Sequence, residues 1–250
     1  NLILIAIPLP YGYVVFTWLH LLAGGTFTYL FFRRIGVSGF GASVGGVMFA
    51  MCIFFTLRLI WPMLLGSAIW LPLMLLWIDW MGSGPTGRWT RGLLGGTVLF
   101  AMPLLSGFFE IAFYVFVACG LYTLIMGVRL WWHERRFRPA IGFFIRVGSV
   151  TAMAAILSAP QLLPFFEVMK RNVRVGELTY EQARNLAMTG TEAITYAVPD
   201  ALGNPTRHEQ FDVTSRTWQP IRNKGGDDAY YLGSKNYVEA TSYVGLLPLA

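Results

Sequence analysis

Few ionisable side chains interrupt the apolar part of this sequence. Those that do are the first candidates for chemistry, because a charge at bilayer depth is costly to keep. Glu110 stands in Ser106-Gly107-Phe108-Phe109-Glu110 with apolar sequence on both sides, and Tyr114 follows four residues later, on the same helical face. A carboxylate there can take a proton from an attacking hydroxyl or hold a cation. It can equally open a helix, where the N-terminal dipole favours negative charge. Glu167 is followed by Lys170, Arg171 and Arg174, three cations in five residues. Such a cluster suits a phosphate or lipid headgroup through charge-assisted hydrogen bonds, and it suits a solvated helix face as well. Arg58, alone in its turn, reads as a headgroup anchor or a phosphate ligand. His20 reads as a hydrogen-bonded packing residue, and Arg146 as a cation that snorkels back towards the start of its helix.

A second set lies in the polar C-terminal part. Asp200, Asn204, Arg207, His208 and Asp212 fall within thirteen residues, and Lys235, Asn236 and Glu239 form another group. Mixtures of this kind suit hydroxyl-rich ligands, and also any ordered loop. Several motifs are missing. Ser83 to Arg88 lacks the Gly-Lys-Ser/Thr of a phosphate loop, no HExxH occurs, and proline disqualifies Asn204-Pro205-Thr206 as a glycosylation acceptor. Cys52 and Cys119 both sit in apolar runs, without metal-ligand or disulfide spacing. A divalent metal as cofactor has no motif in its support.

The elements that must position these residues are membrane spans. Of 250 residues 55% are hydrophobic and 13% charged, about half the charge of an ordinary soluble domain. Six apolar runs meet or approach the roughly 20 residues that cross a bilayer. They are Tyr11 to Phe32, Gly41 to Thr56, Trp61 to Ile78, Leu93 to Phe109, Ile111 to Leu130 and Ile141 to Leu163, the second and fourth being short. The fold class that follows is an all-α polytopic membrane protein, a bundle of about six transmembrane helices with an external polar segment. Residues 1–168 form the bundle, 169–242 an external loop or small domain, and 243–250 the start of a further span. Beginning and ending inside apolar sequence, the chain reads as an interior piece of a longer protein.

Charge orients this bundle. Residues 1–168 hold ten basic and four acidic side chains, hence the whole net charge of +6, whereas 169–250 hold nine of each. Positive clusters fall on alternate turns, Arg33-Arg34, Arg88 with Arg91, and Arg135-Arg136 with Arg138. By the positive-inside bias those turns face the cytoplasm, and the Ser106 to Glu110 hairpin and everything after Leu163 face out. Trp77, Trp80, Trp131 and Trp132 fall at the expected inner ends, as interfacial aromatics do. A basic excess confined to membrane loops is no nucleic-acid signature. Gly41 with Gly45, and Ala42 with Gly46, would let the second helix approach a neighbour closely.

The order of short motifs resembles the YfhO-like family of bacterial membrane proteins. The resemblance is carried by Trp18-Leu19-His20-Leu21-Leu22, Arg33-Arg34-Ile35-Gly36, the hairpin ending in Glu110, and Ser158-Ala159-Pro160-Gln161-Leu162-Leu163-Pro164 with Arg174 beyond. Pro199-Asp200-Ala201-Leu202-Gly203-Asn204-Pro205, Asn236-Tyr237-Val238-Glu239 and Tyr243-Val244-Gly245-Leu246-Leu247-Pro248 continue it, so that it covers nearly the whole chain. Where the family hairpin often reads Gly-His-Pro-Gln, this sequence has Gly107-Phe108-Phe109-Glu110.

What the resemblance implies is a GT-C type glycosyltransferase in the bacterial cytoplasmic membrane. Such an enzyme passes a sugar from a polyprenyl-phosphate carrier to a glycan or lipid acceptor at the outer face. The usual catalytic acids of that superfamily lie in a first external loop that nothing here matches, so no catalytic Asp is carried over. Glu110 is then the catalytic candidate in this chain. Arg58, Tyr114, Glu167, Lys170, Arg171, Arg174, Asp200, Asn204 and His208 are candidates for substrate binding. Membrane lipids are the remaining expected partners. Two other classes fit the residues: a non-catalytic subunit packed against other membrane subunits, and a transporter, for which midplane polar groups are few beyond His20.

Overall fold

Proline and glycine decide where the apolar runs break. A computed structural model describes residues 7–9, 11–83, 89–135, 137–171, 179–181, 184, 187–188, 190, 192–196, 198, 201–203, 209–212 and 215–221. Helix α1, Tyr11–Arg34, runs uninterrupted to its two terminal arginines. Ser38 then caps α2, Gly39–Ala50, by accepting a hydrogen bond from the Gly41 amide at 3.1 Å. The next run is cut in two. Helix α4, Pro62–Ala68, ends where the Pro72 ring would meet the Ala68 carbonyl, and α5, Leu71–Ser83, restarts with Pro72 in its first turn. Helix α6, Trp89–Leu105, keeps Pro103 near its end. Helix α7, Phe109–Glu134, stops at Arg135, which adopts the left-handed conformation at φ 53°.

Helix α8, Phe137–Leu157, shortens the last expected span. The sequence reading carried it to Leu163, but the Pro160 ring would meet the Ile156 carbonyl, and the helix stops one turn earlier. A separate amphipathic helix, α9, Ala159–Arg171, follows and buries none of its residues, leaving Leu163, Phe166 and Met169 exposed. Five stretches are long and apolar enough to cross a membrane: Tyr11–Arg34, Gly39–Leu57, Pro62–Ser83, Phe109–His133 and Phe137–Leu157. Gly92–Leu105 is apolar but shorter. The protein is an all-α polytopic membrane protein.

Residues 1–51 and 58–175 form one unit, and residues 52–57 and 176–250 another. Within the first, α1 packs on α2 and α5, α6 on α8, and α7 on both α5 and α8. Its buried centre gathers Met74, Ile78, Phe100, Cys119 and Phe143. Trp77 belongs to that centre as well, donating its indole N–H to the Gly92 carbonyl at 3.1 Å. This corrects its reading as an interfacial residue, whereas Trp131 and Trp132 are exposed as a belt requires. Arg146 also departs from expectation. It lies nine residues inside α8, roughly 13 Å from the helix start, beyond the reach of snorkelling. Its Nε is enclosed, with no hydrogen-bond partner among the described residues.

Of the small residues of α2, Gly45 and Gly46 meet α1, Gly45 at the Phe32 ring and Gly46 at Gly25, whereas Gly41 lies beside Val37 and Ser38 just before it in the chain. A Cβ added at Gly46 would stand 2.6 Å from the Gly25 carbonyl oxygen, so the two helix backbones touch there. Gly46→Val is therefore expected to push α2 off α1 and cost about 1–3 kcal/mol. Unfolding by SDS titration in mixed micelles checks this, and wild-type stability in the variant would mean that the helices do not meet at Gly46.

The second unit contains α3, Ile53–Leu57, a 3-10 turn at Glu192–Tyr196, and an antiparallel pair, β1 (Glu209–Asp212) with β2 (Thr217–Pro220), whose register pairs Phe211 with Trp218. Glu192 and Thr195 are buried, and the Thr195 hydroxyl donates to the Glu192 carbonyl at 2.7 Å. Of the amphipathic helix expected over Tyr180 to Met188, Tyr180, Glu181 and Arg184 are helical and Ala187 and Met188 are not, the other four residues lying outside the described ones.

Candidate functional site

Two polar regions lie at opposite ends of the first unit. At one end α6 turns into α7 through Ser106, Gly107 and Phe108. Gly107 supplies the positive φ of 87° that this turn requires. The Ser106 hydroxyl donates to the Pro103 carbonyl at 2.6 Å and is hydrogen-bonded to the hydroxyl of Ser67 from α4. The pair satisfies polar groups in an otherwise apolar wall and holds the hairpin against α4. At the same end the Tyr13 hydroxyl donates to the Leu59 carbonyl, tying the start of α1 to the turn that contains Arg58.

This end brings together several residues singled out in the sequence. Glu110 is exposed in the first turn of α7, with no side-chain cap from Phe108 before it, and Tyr114 is exposed one turn on. Phe109 packs against Phe165 of α9, ring centroids 3.9 Å apart. That contact fastens α9 beside the hairpin. Glu167, Lys170 and Arg171 are exposed on α9, the two cations in its last turn. Among the described residues Glu167 forms no ion pair with Lys170 or Arg171. Arg58 is half-buried. Arg174, Asp200, Asn204 and His208 lie outside the described residues, as do Arg207, Lys235, Asn236 and Glu239. Asp212 is described as a residue of β1 opposite Thr217. His20 matches its reading, with Nδ1 2.8 Å from the Phe16 carbonyl oxygen and its ring stacked on Phe16 at 3.7 Å. Since a carbonyl only accepts, that nitrogen carries the proton.

The opposite end holds a site that sequence reasoning missed. Arg34, at the end of α1, donates from Nε to Asp79 Oδ2 at 2.5 Å. Asp79 is nearly enclosed, 7% exposed, and its other oxygen accepts a long hydrogen bond of 3.4 Å from the Tyr122 hydroxyl of α7. Beside this triad opens a cavity of about 820 Å³ whose polar wall adds Arg129 and His133, four residues apart on α7. The only sequence signal was a single carboxylate at the polar end of an apolar span, with an arginine at the end of another.

Among the described residues no three His, Cys, Asp or Glu side chains come together as a metal-ligand set. Comparison with protein-family models, with curated proteins and with solved structures gave no match.

Proposed function

We propose that the protein is a membrane glycosyltransferase that moves a sugar from a polyprenyl-phosphate carrier to an acceptor hydroxyl at the outer membrane face, with the Ser106 end as the reacting end. The observation that carries this reading is the Phe109 to Phe165 contact. It brings α9, whose last turn carries Lys170 and Arg171, against the turn that leads into Glu110, those cations lying roughly 8 to 9 Å along the helix from Phe165. Exposed apolar side chains on α9 favour a helix lying along the membrane surface, at the depth where a lipid-linked phosphate resides. The YfhO-like order of motifs supports the same class.

The chemistry asks for what this end offers. The acceptor oxygen attacks the anomeric carbon, the bond from that carbon to the phosphate oxygen breaks with its electron pair leaving on the phosphate, and the hydroxyl proton passes to a carboxylate. Glu110 is the candidate base, and Lys170 and Arg171 stabilise the departing polyprenyl phosphate. The positive turns then face the cytoplasm in a bacterial cytoplasmic membrane.

Transfer from a short-chain polyprenyl-phosphate sugar, measured with the intact protein in proteoliposomes, tests the assignment. Glu110→Gln is expected to lower kcat by about 10²-fold or more. Lys170→Ala with Arg171→Ala is expected to raise KM for the donor about tenfold, the effect of losing two phosphate contacts. Full transfer in both variants would remove these roles. Absence of transfer in the unaltered protein, with copurification in fixed stoichiometry with other membrane subunits, would replace the enzyme by a structural component.

A further inference from the structure

We propose that the cavity at the Arg34 end binds the phosphate headgroup of an anionic phospholipid, with Arg129 and His133 as its donors and Arg34 as a third, positioned by Asp79. The assignment is independent of the transfer chemistry at the other end.

Charge is the first argument. Two guanidinium groups, Arg34 and Arg129, border the cavity against one carboxylate, Asp79. That carboxylate is committed: one oxygen is on Arg34 Nε at 2.5 Å and the other is near the Tyr122 hydroxyl. A guanidinium has five N–H donors, and only one of Arg34 is used in a hydrogen bond among the described residues. The pairing therefore orients Arg34 without consuming it. Arg129 is exposed and makes no ion pair among the described residues. His133 stands one helical turn beyond it on the same face of α7. Three donors from two helices around an open volume form a trap for oxygen atoms bearing negative charge.

Depth and lining decide between a lipid and a soluble anion. Trp132, exposed on the cavity wall, and its neighbour Trp131 are the aromatics that sit at a membrane interface. One turn deeper than Arg129 the wall is apolar, formed by Ile125 of α7, with Val128 level with the cation, and both are exposed to the surroundings of the bundle. Acyl chains attached to the bound phosphate would run along that wall. A free phosphate would leave it uncovered.

Thermal unfolding of the intact protein in neutral detergent, titrated with phosphatidylglycerol, phosphatidylcholine or inorganic phosphate, tests this. Phosphatidylglycerol is expected to raise Tm saturably, whereas phosphatidylcholine and inorganic phosphate are not. Arg129→Gln is expected to weaken the phosphatidylglycerol effect about fivefold, the effect of one basic group near an anionic headgroup, and Arg129→Lys to retain most of it. His133→Gln supplies a second reading should Arg129→Gln not fold. Equal stabilisation by phosphatidylcholine, or wild-type response in both the Arg129→Gln and His133→Gln variants, would overturn the site. Complete displacement of the lipid by inorganic phosphate would overturn the lipid assignment.

Discussion

Replacing Arg34 by Gln is expected to destabilise the bundle by about 2–4 kcal/mol, more than replacing its partner Asp79 by Asn. The asymmetry follows from burial. Asp79 has a side chain only 10% exposed, against 37% for Arg34. Removing the cation strands a carboxylate whose remaining partner, the Tyr122 hydroxyl, is 3.4 Å away. Removing the carboxylate's charge leaves a guanidinium that water in the adjoining cavity can hydrate, and Asn still accepts from Tyr122. About 1–2 kcal/mol is expected for Asp79→Asn. The double variant Arg34→Gln with Asp79→Asn should cost less than the two single ones together, since the stranded charge is gone. SDS-induced unfolding of the four proteins measures the cycle. Equal single costs that simply add would show that the two side chains do not share an ion pair.

The second large effect is expected at Trp77. Its ring fills the space in front of α6 that Gly96 leaves open, where a Cβ would stand 2.5 Å from the ring, and the Gly92 carbonyl receives the indole N–H. Phe100 meets the ring edge at a centroid distance of 5.3 Å. Trp77→Ala removes all of this and is expected to cost about 3–5 kcal/mol. In a membrane the loss is mostly of packing, because lipid is as apolar as the protein interior. Trp77→Phe keeps most of the ring contact and loses the hydrogen bond, for about 1 kcal/mol. The same unfolding assay separates them. Equal costs for the two variants would transfer the weight from the packed ring to the hydrogen bond.

Trp77 also shows where a sequence stops being legible. Apolar length is readable because the bilayer imposes it, and five of the six expected spans correspond to stretches long enough to cross, the remaining one being the short Gly92–Leu105. Which face of a span turns inward is not readable in the same way. Lipid and protein interior are both apolar, so periodicity gives little contrast and Trp77 resembles a belt residue. Gly96, on the facing helix, is the available sign. Boundaries failed where composition ran on past a proline. Leu157 and Leu163 belong to one apolar run, yet Pro160 divides it into a span and an amphipathic helix.

The candidate sites divide along similar lines. Glu110, Lys170 and Arg171 were conspicuous because charges are scarce near the apolar runs, and all three prove exposed at the end where Phe109 meets Phe165. Arg34 and Asp79 are 45 residues apart in sequence. Arg34 was read only as part of a positive turn, since nothing local announces a partner on a distant helix. Arg146 was misplaced by its helix boundary: moving the start of α8 back to Phe137 puts it near mid-span.

The transfer reading stands on an arrangement in which the Glu110 and Arg171 end faces outward and the Arg34 and Arg129 end faces the cytoplasm. Single cysteines answer this directly, in a background with Cys52 and Cys119 replaced by Ala. In intact cells a membrane-impermeant maleimide should label a cysteine at Lys170, and should label one at Trp132 only after the cells are permeabilised. Labelling of Trp132→Cys from outside, or protection of Lys170→Cys until permeabilisation, would contradict the arrangement and the transfer reading built on it.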